Sequence, residues 1–205
     1  MKFLIGLLAA ILFTVFANAQ HSDTPVGHVN IGIKGGLNVS NIHADDGSEY
    51  DYRIGYHFGL LGHIHLGNHF AIQPEILYSA QGAKYTFQNE TTNYNLDYVN
   101  VPVLFQYMFN SGFRIEAGPQ VGFLVRAKYI DNTGTSDQKD YIEPIDWALS
   151  FGMSYVHPPS GFGVDARFNM GLSNIDKNTS VVSTNRGFQL GVFYIFGYNS
   201  LVKHY

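Results

Sequence analysis

Histidine and serine side chains are the first candidates for chemistry in this chain. Three histidines have the same parity in one predicted strand, at His57, His63 and His65. Alternate side chains of a strand point to the same side, so His63 and His65 could bind one transition metal ion together. An imidazole beside a serine hydroxyl could instead drive acyl transfer, and Ser79 and Ser150 are predicted to face the same way. Because neither serine lies in a Gly-x-Ser-x-Gly motif and the spacing supplies no third metal ligand, we expect no catalytic residue, no cofactor and no metal site.

An acidic cluster lies in a predicted loop, at Asp45, Asp46, Glu49 and Asp51. Carboxylates at this density could attract a divalent cation or a basic partner. Their spacing differs from that of a calcium-binding loop, which needs a central Gly and a distal Glu. We therefore expect a solvated acidic loop.

Charged and titratable residues also fall on the polar face of the predicted strands. They are of mixed sign and comprise Lys34, His57, His63, His65, Glu75, Arg114, Glu116, Arg126, Lys128, Asp146, Asp165 and Arg167. A charge enclosed inside a protein needs a partner, because burying it alone is costly. We expect these side chains to pair in a polar network inside the molecule.

These side chains can share a face only in alternating strands, and the sequence shows that alternation. In residues 113–129 one parity is wholly apolar, while the other contains Arg114, Glu116, Arg126 and Lys128. The same pattern, strong or weak, recurs in residues 29–40, 54–66, 70–85, 96–109, 145–155, 162–172 and 186–196. A period of two is typical of β-strands and predicts eight of them.

The connections between the predicted strands alternate in length. Short turns rich in Gly, Pro and Asn are expected at residues 67–68, 110–112 and 157–161. Long polar loops are expected at residues 41–53, 86–95, 131–143 and 173–185. An up-and-down meander with short turns at one end and long loops at the other is typical of transmembrane barrels.

Alternation alone leaves open which face of the barrel is inside. The apolar face would contact lipid in a membrane barrel, whereas in a soluble carrier of the lipocalin type it would line a cavity. Glycines on the polar face, aromatic residues near strand ends and a charged content of only 14% favour lipid. We predict an all-β, eight-stranded antiparallel up-and-down transmembrane β-barrel, with the soluble periplasmic carrier as an alternative.

The composition excludes several classes of protein. Cysteine is absent, which excludes disulfides, thiolate metal sites and the acylated cysteine of a lipoprotein. With 12 Lys+Arg against 16 Asp+Glu there is no basic excess for a phosphate backbone, so no nucleic acid partner is expected.

The N-terminus predicts export. Lys2 precedes an apolar run that ends in the small-x-small site Ala17-Asn18-Ala19. This pattern is typical of a cleaved signal peptide over residues 1–19, with the mature chain starting at Gln20. The run is shorter than the roughly 20 residues that span a bilayer as a helix.

Several stretches carry a family resemblance. They are GIKGGLNVSNI (32–42), IQPEILYSAQGAKY (72–85), YVNVPVLFQYMF (98–109), GFRIEAGPQVGFLVRAK (112–128), GFGVDARFNMGLSNI (161–175) and RGFQLGVFYIF (186–196). In this order they resemble the PorT-like outer-membrane β-barrel family of Gram-negative bacteria. The resemblance implies a barrel over residues 20–196 in the cell outer membrane, followed here by a C-terminal tail at 197–205. Founding members of the group are implicated in protein secretion, a role that we do not transfer because the shared motifs look architectural.

Strand number limits what such a barrel can do. An eight-stranded interior is just wide enough to be filled by side chains or to hold one small ligand, so we expect a plugged lumen. The expected role is structural or interactive, through the long loops, with an unknown protein or envelope partner. Outer-membrane lipid and, during insertion, the barrel-assembly machinery are the other expected partners. A small-conductance pore and a secretion-system accessory barrel are alternatives.

Overall fold

Strands make up most of the described chain. The computed structural model describes residues 29–47, 50–87, 90–132, 134–177 and 181–198, so the predicted signal peptide and most of the predicted tail lie outside it. The strands are β1 (Val29–Ala44), β2 (Asp51–His65), β3 (Phe70–Phe87), β4 (Glu90–Met108), β5 (Phe113–Asp131), β6 (Gly134–Asp137), β7 (Ile145–Val156), β8 (Phe162–Gly171) and β9 (Ser183–Ile195). No helix in these ranges is long and apolar enough to cross a membrane.

The eight long strands close into a ring. The sheet runs β4-β3-β2-β1-β9-β8-β7-β5, and a direct pairing of β4 with β5 joins its two ends. Every pairing in the ring is antiparallel. The short strand β6 pairs only with the far end of β5 and stands outside the ring. The predicted eight-stranded up-and-down barrel is confirmed.

The two ends of the barrel differ as predicted, but the strands at the long-loop end are longer. The predicted loop at residues 86–95 is wrong, because β3 continues to Phe87 and β4 already begins at Glu90. Thr86, Thr92 and Tyr94 are β-branched or aromatic residues, which favour strands. Beyond the apolar band both faces of a hairpin can meet water, so the alternation is lost while the strand pairing continues.

The apolar parity faces outward and the polar parity faces the lumen. On β9, Phe188, Leu190 and Val192 are exposed on the outer wall, while Gln189 between them is buried. The same holds on β8, where Val164 and Phe168 are exposed. This arrangement is that of a membrane barrel and excludes the soluble carrier, whose apolar face would be inside.

Glycines on the inner face let the wall close tightly. A Cβ atom at Gly36 would collide with the carbonyl oxygen of Leu190 and with the ring of His57. A Cβ atom at Gly59 would collide with the carbonyl oxygen of Ile76 on β3. Any side chain at these two positions would push neighbouring strands apart, which explains the glycines of the polar parity.

A β-bulge in β5 reverses the alternation near the long-loop end. Leu124 pairs with Tyr98 and Arg126 pairs with Asp97, so Val125 is an extra residue. Beyond it Ala127 is buried inside, whereas Arg126 is exposed. Since a bulge shifts every later side chain to the other face, the prediction that Arg126 and Lys128 face the lumen is wrong.

Aromatic residues form a rim at the short-turn end. The ring centroid of Tyr107 lies 5.3 Å from that of Phe70 and 4.9 Å from that of Phe109. Across the barrel, Tyr194 and Phe196 stack edge to face at 5.2 Å. At the other end of β5, Tyr129 lies beyond the bulge, and its ring centroid is 4.2 Å from that of Tyr94.

Candidate functional site

The middle of the lumen holds a cluster of five charged side chains, which we call the central ion cluster. Its members are Lys34 on β1, Glu75 on β3, Glu116 on β5, and Asp165 and Arg167 on β8. All five lie on inward positions of strands, because the period of two keeps the polar parity on one face. Their side chains are at most 2% exposed, so the charges have almost no contact with solvent.

Arg167 is the centre of this cluster. Its guanidinium donates to both carboxylate oxygens of Glu75, at 2.8 and 2.9 Å, and to Oε1 of Glu116 at 2.9 and 3.1 Å. Lys34 Nζ lies 2.6 Å from Asp165 and 3.6 Å from Glu75. Such bidentate, charge-assisted bonds are the strongest that side chains make, and they compensate part of the desolvation cost.

Two glutamines complete the coordination of the carboxylates. Gln73 donates to Oε1 of Glu75 at 2.8 Å, and Gln106 donates to Oε2 of Glu116 at 2.7 Å. Each oxygen of Glu75 and Glu116 therefore has a donor. Among the carboxylate oxygens of the cluster, Oδ1 of Asp165 is the one that is buried without a hydrogen-bond partner.

His57 and Ser79 are both buried, but they do not form a catalytic pair. His57 Nδ1 lies 2.7 Å from Oδ1 of Asn38, while the amide of Asn38 donates to Ser79 at 2.9 Å. Asn38 thus stands between the imidazole and the hydroxyl. The other serine considered above, Ser150, donates to Asn169 at 2.7 Å.

His63 and His65 lie side by side near the short-turn end. Their ring centroids are 4.5 Å apart and the rings meet edge to face. Within the described ranges no group of three or more His, Cys, Asp or Glu side chains is arranged to hold a metal ion. The pair therefore has no further protein ligand of these types beside it.

Arg114 lies below the central ion cluster, towards the short turns. It is buried and donates to the hydroxyl of Tyr198 at 3.1 Å, with its guanidinium 5.6 Å from the centre of that ring. Tyr198 belongs to the segment after β9 that is predicted to be a tail. Tyr198 also packs against a small apolar cluster, and together they form what we call the lower closure: Leu61, Val156, Phe193, Ile195 and Tyr198.

A larger apolar cluster lies inside the ring at the long-loop end, and we call it the upper closure: Ile42, Ala83, Leu96, Tyr98, Leu124, Ala127, Ile142 and Ile175. Two of its members, Ile142 and Ile175, come from loops rather than strands. Beside it, Asp146 accepts from Asn185 at 2.9 Å and from Ser173 at 2.8 Å. The lumen is thus polar in the middle and apolar at both ends, which the strand parity does not predict.

Family comparison agrees with this architecture. A family model described as the outer membrane protein beta-barrel domain matches residues 17–177. The chain belongs to this outer-membrane β-barrel family. Membership places the protein in the outer membrane, and it fits the outward apolar wall described above.

Solved structures support the fold of this outer-membrane barrel. Ail, the attachment invasion locus protein of Yersinia pestis, is 16% identical, with a TM-score of 0.54 over 82% of this chain and 98% of that one. Neisserial surface protein A is 14% identical, with a TM-score of 0.54 over 80% of this chain and 96% of that one. At these identities the likeness shows the fold alone. No match to a curated protein sequence was found.

The outer wall of the barrel carries a second charged group, which we call the outer ion pair: Asp97 and Arg126. Nε and Nη2 of Arg126 both donate to Oδ2 of Asp97 at 2.6 Å, and the Tyr78 hydroxyl donates to the same oxygen at 2.7 Å. Asp97 lies between Leu96 and Tyr98 of the upper closure and therefore points away from the lumen. The sequence analysis did not single out Asp97. It is a charged residue among the apolar outward residues of β4, and this pattern could have indicated a partner on the outer wall.

The acidic cluster of the first long loop is a surface feature. Asp45, Asp46 and Asp51 are exposed, while Glu49 lies outside the described residues. His43 Nε2 lies 3.9 Å from Asp45. The three described carboxylates have the solvent exposure expected of a hydrated loop.

Proposed function

We propose that the protein is a non-conducting outer-membrane barrel that makes its contacts through the surface formed by its long loops. The observation that supports this proposal is the succession of buried side chains inside the ring, with the central ion cluster between the lower and upper closures. An eight-stranded interior has room for these side chains and little else.

Two loops seal the upper end because they are bonded to each other. Ile142 and Asp176 form an isolated β-bridge, and the amide of Glu143 donates to the carbonyl of Ile175 at 2.8 Å. The amide of Lys177 donates in turn to the carbonyl of Tyr141 at 3.1 Å. These bonds hold Ile142 and Ile175 over the lumen, so opening it would require breaking the loop–loop contacts together.

The outer surface of the joined loops is suited to interaction. Tyr141 is 58% exposed and Val182 is 42% exposed, beside the exposed carboxylates of Asp45 and Asp140. Rigid loops on a stable scaffold are a common way to build a binding surface. Tyr50 anchors the first loop, because its ring centroid lies 5.6 Å from that of Tyr85 and 5.7 Å from that of Tyr94. Burial raises the pKa of the Tyr50 phenol.

Planar-bilayer recording tests the sealed lumen. Purified protein that shifts its gel mobility only after boiling, the sign of a folded barrel, should give no stable channel steps. A 16-stranded porin in the same chamber controls for the sensitivity of the assay. Stable unitary steps from the heat-modifiable protein would contradict the proposal and favour a small-conductance pore.

The predicted export signal and the narrower family resemblance complete the proposal. We infer that residues 1–19 are removed on export, so N-terminal sequencing of protein from outer membranes should begin at Gln20. An intact Met1 in that fraction would contradict this. The resemblance to the PorT-like group stays a prediction, and we propose no secretion role.

A further inference from the structure

A group of basic side chains lies on one side of the outer wall, just beyond the apolar band; we call it the basic wall patch, and its members are Arg53, Arg126, Lys128 and Lys139. The β5 bulge turns Arg126 and Lys128 outward. Lys139 donates its ammonium to the carbonyl of Val125 at 3.2 Å, which brings it beside Arg126. Arg53 bonds to the carbonyl of Gln81 on β3.

The buried carboxylate of Asp97 holds Arg126 in place. Its side chain is completely buried, and Arg126, which donates to it twice, remains half exposed. Arg53 is fixed separately, by its bond to the carbonyl of Gln81. Asp97 therefore orients the Arg126 guanidinium at the surface, which lowers the conformational entropy that a ligand would have to remove.

The height of the patch follows from strand geometry. A transmembrane β-strand crosses the hydrocarbon in about 9–11 residues. On β5 the alternating outward apolar residues run from Phe113 at the short-turn end to Phe123, and Val125 at the bulge is exposed as well, so Arg126 and Lys128 lie just past the hydrocarbon. Because short turns face the periplasm in such barrels, this level is that of the headgroups of the outer leaflet.

The patch carries more positive than negative charge in its described contacts. Its four basic side chains have two carboxylates beside them in those contacts: Asp97, and Asp137, whose backbone pairs with Lys128 and whose side chain accepts from the Lys139 amide. On the neighbouring strand β7, Ile145 pairs with Phe123 and Trp147 pairs with Val121, so these exposed side chains belong to the apolar band. A positive surplus just beyond the apolar band, at headgroup level, fits an anionic group presented by a lipid.

We propose that the basic wall patch binds the phosphate of a phosphorylated lipid headgroup in the outer leaflet. Arginine is suited to this role because its planar donors match phosphate oxygens, and nearby lysines add long-range attraction. The inference rests on the proposed membrane orientation and names the lipid partner of the same barrel. It does not depend on whether the lumen conducts.

Native mass spectrometry of the full-length mature protein tests the site. Folded protein is moved into micelles containing equal amounts of diphosphorylated lipid A and of the same lipid A after removal of both phosphates. The expected result is that the protein retains the phosphorylated form at least about tenfold better, as two charge-assisted bonds would produce. Equal retention of the two lipids would overturn the proposal.

Matched double variants separate this site from general charge attraction. Lys128→Gln with Lys139→Gln should remove most of the preference for phosphorylated lipid A, since about 1 kcal/mol from each basic residue near anionic lipid corresponds to about thirtyfold for the pair. Lys177→Gln with Arg186→Gln removes the same charge from the β8–β9 loop and from β9, which pairs with β1 and β8 and not with β5, and should leave the preference unchanged. Equal losses in both double variants, or no loss in the first, would overturn the assignment.

Two further readouts keep the outcomes distinct. Heat-modifiability on a gel shows for each variant that the barrel is folded, so a loss of lipid cannot come from misfolding. If inorganic phosphate displaces all of the bound lipid A, the patch is a general anion site, and this result would also contradict the proposal. The conductance of the same samples tests the sealed lumen separately.

Discussion

The central ion cluster and the outer ion pair use the same chemistry in two different places. Inside, Arg167 donates to Glu75 and Glu116, and each of these side chains is at most 1% exposed. Outside, Arg126 donates to Asp97, which is buried, but half of the Arg126 side chain remains exposed. An arginine that is enclosed by carboxylates has no donor exposed to a ligand. An arginine that is half exposed, such as Arg126, can still donate to a ligand at the surface.

The difference has an energetic side. Removing one partner of a buried pair leaves an uncompensated charge that cannot reach water. When the partner of a half-exposed arginine is removed, the arginine can turn towards solvent or headgroups, so much less free energy is lost. The central ion cluster should therefore contribute more to the stability of the barrel, and the outer ion pair should contribute more to lipid binding.

The largest effect is expected from Glu75→Gln. This variant loses the two charge-assisted bonds between Glu75 and Arg167, and also the attraction between Glu75 and Lys34. We therefore expect the free energy of unfolding to fall by about 3–5 kcal/mol. Urea unfolding in micelles, followed by the fluorescence of Trp147, measures it. Asp45→Asn, an exposed loop substitution, is the control, and an equal loss there would refute the distinction.

A smaller effect is expected from Asp97→Asn. Tyr78 and Arg126 lose a charged acceptor, but Arg126 stays solvated, so the free energy of unfolding should fall by about 1–2 kcal/mol. The same unfolding assay measures the change, and lipid retention measures whether Arg126 has lost its orientation. A destabilisation as large as that of Glu75→Gln would show that the outer pair is structural.

Salt should separate the two regions further. At 1 M salt the Debye length is about 3 Å, which screens exposed charges but not fully buried ones. The stability difference between wild type and Asp97→Asn should therefore shrink by a few tenths of a kcal/mol, while that of Glu75→Gln should not change. Unfolding curves at low and high sodium chloride test this, and parallel shifts in both variants would contradict it.

The smallest effect on stability is expected from Lys139→Gln. Its ammonium contacts only the Val125 carbonyl among the described bonds and is exposed, so the free energy of unfolding should change by no more than about 0.5 kcal/mol. The same variant should still weaken the retention of phosphorylated lipid. A clear loss of stability without a change in lipid retention would assign Lys139 to packing.

Much of the fold could be predicted from the sequence, because a period of two is a local property of strands. The strict alternation in β7 and β8 indicated both the strands and their inward residues, including Asp165 and Arg167. The same rule failed for Arg126 and Lys128. A bulge depends on how β5 registers against β4, and one extra residue at Val125 has no signature in the sequence.

The candidate sites were less predictable than the fold for a related reason. Parity grouped Lys34, Glu75 and Arg167 on one face, but the partners lie on β1, β3 and β8, and only barrel closure brings them together. Ile142 and Ile175 come from segments that read as polar loops, and their place over the lumen follows from contacts between those loops.

The sequence by itself determined the eight strands, the outward apolar face and the broad class of outer-membrane barrels, because each depends on local periodicity or on ordered motifs. Only the tertiary structure decided which charges meet inside, where the parity reverses and how the lumen ends are filled. These features depend on strand register and ring closure, which join residues as far apart as Glu75 and Arg167, 92 positions along the chain. Pairing at that separation is set by the whole barrel, since no local stretch contains both partners.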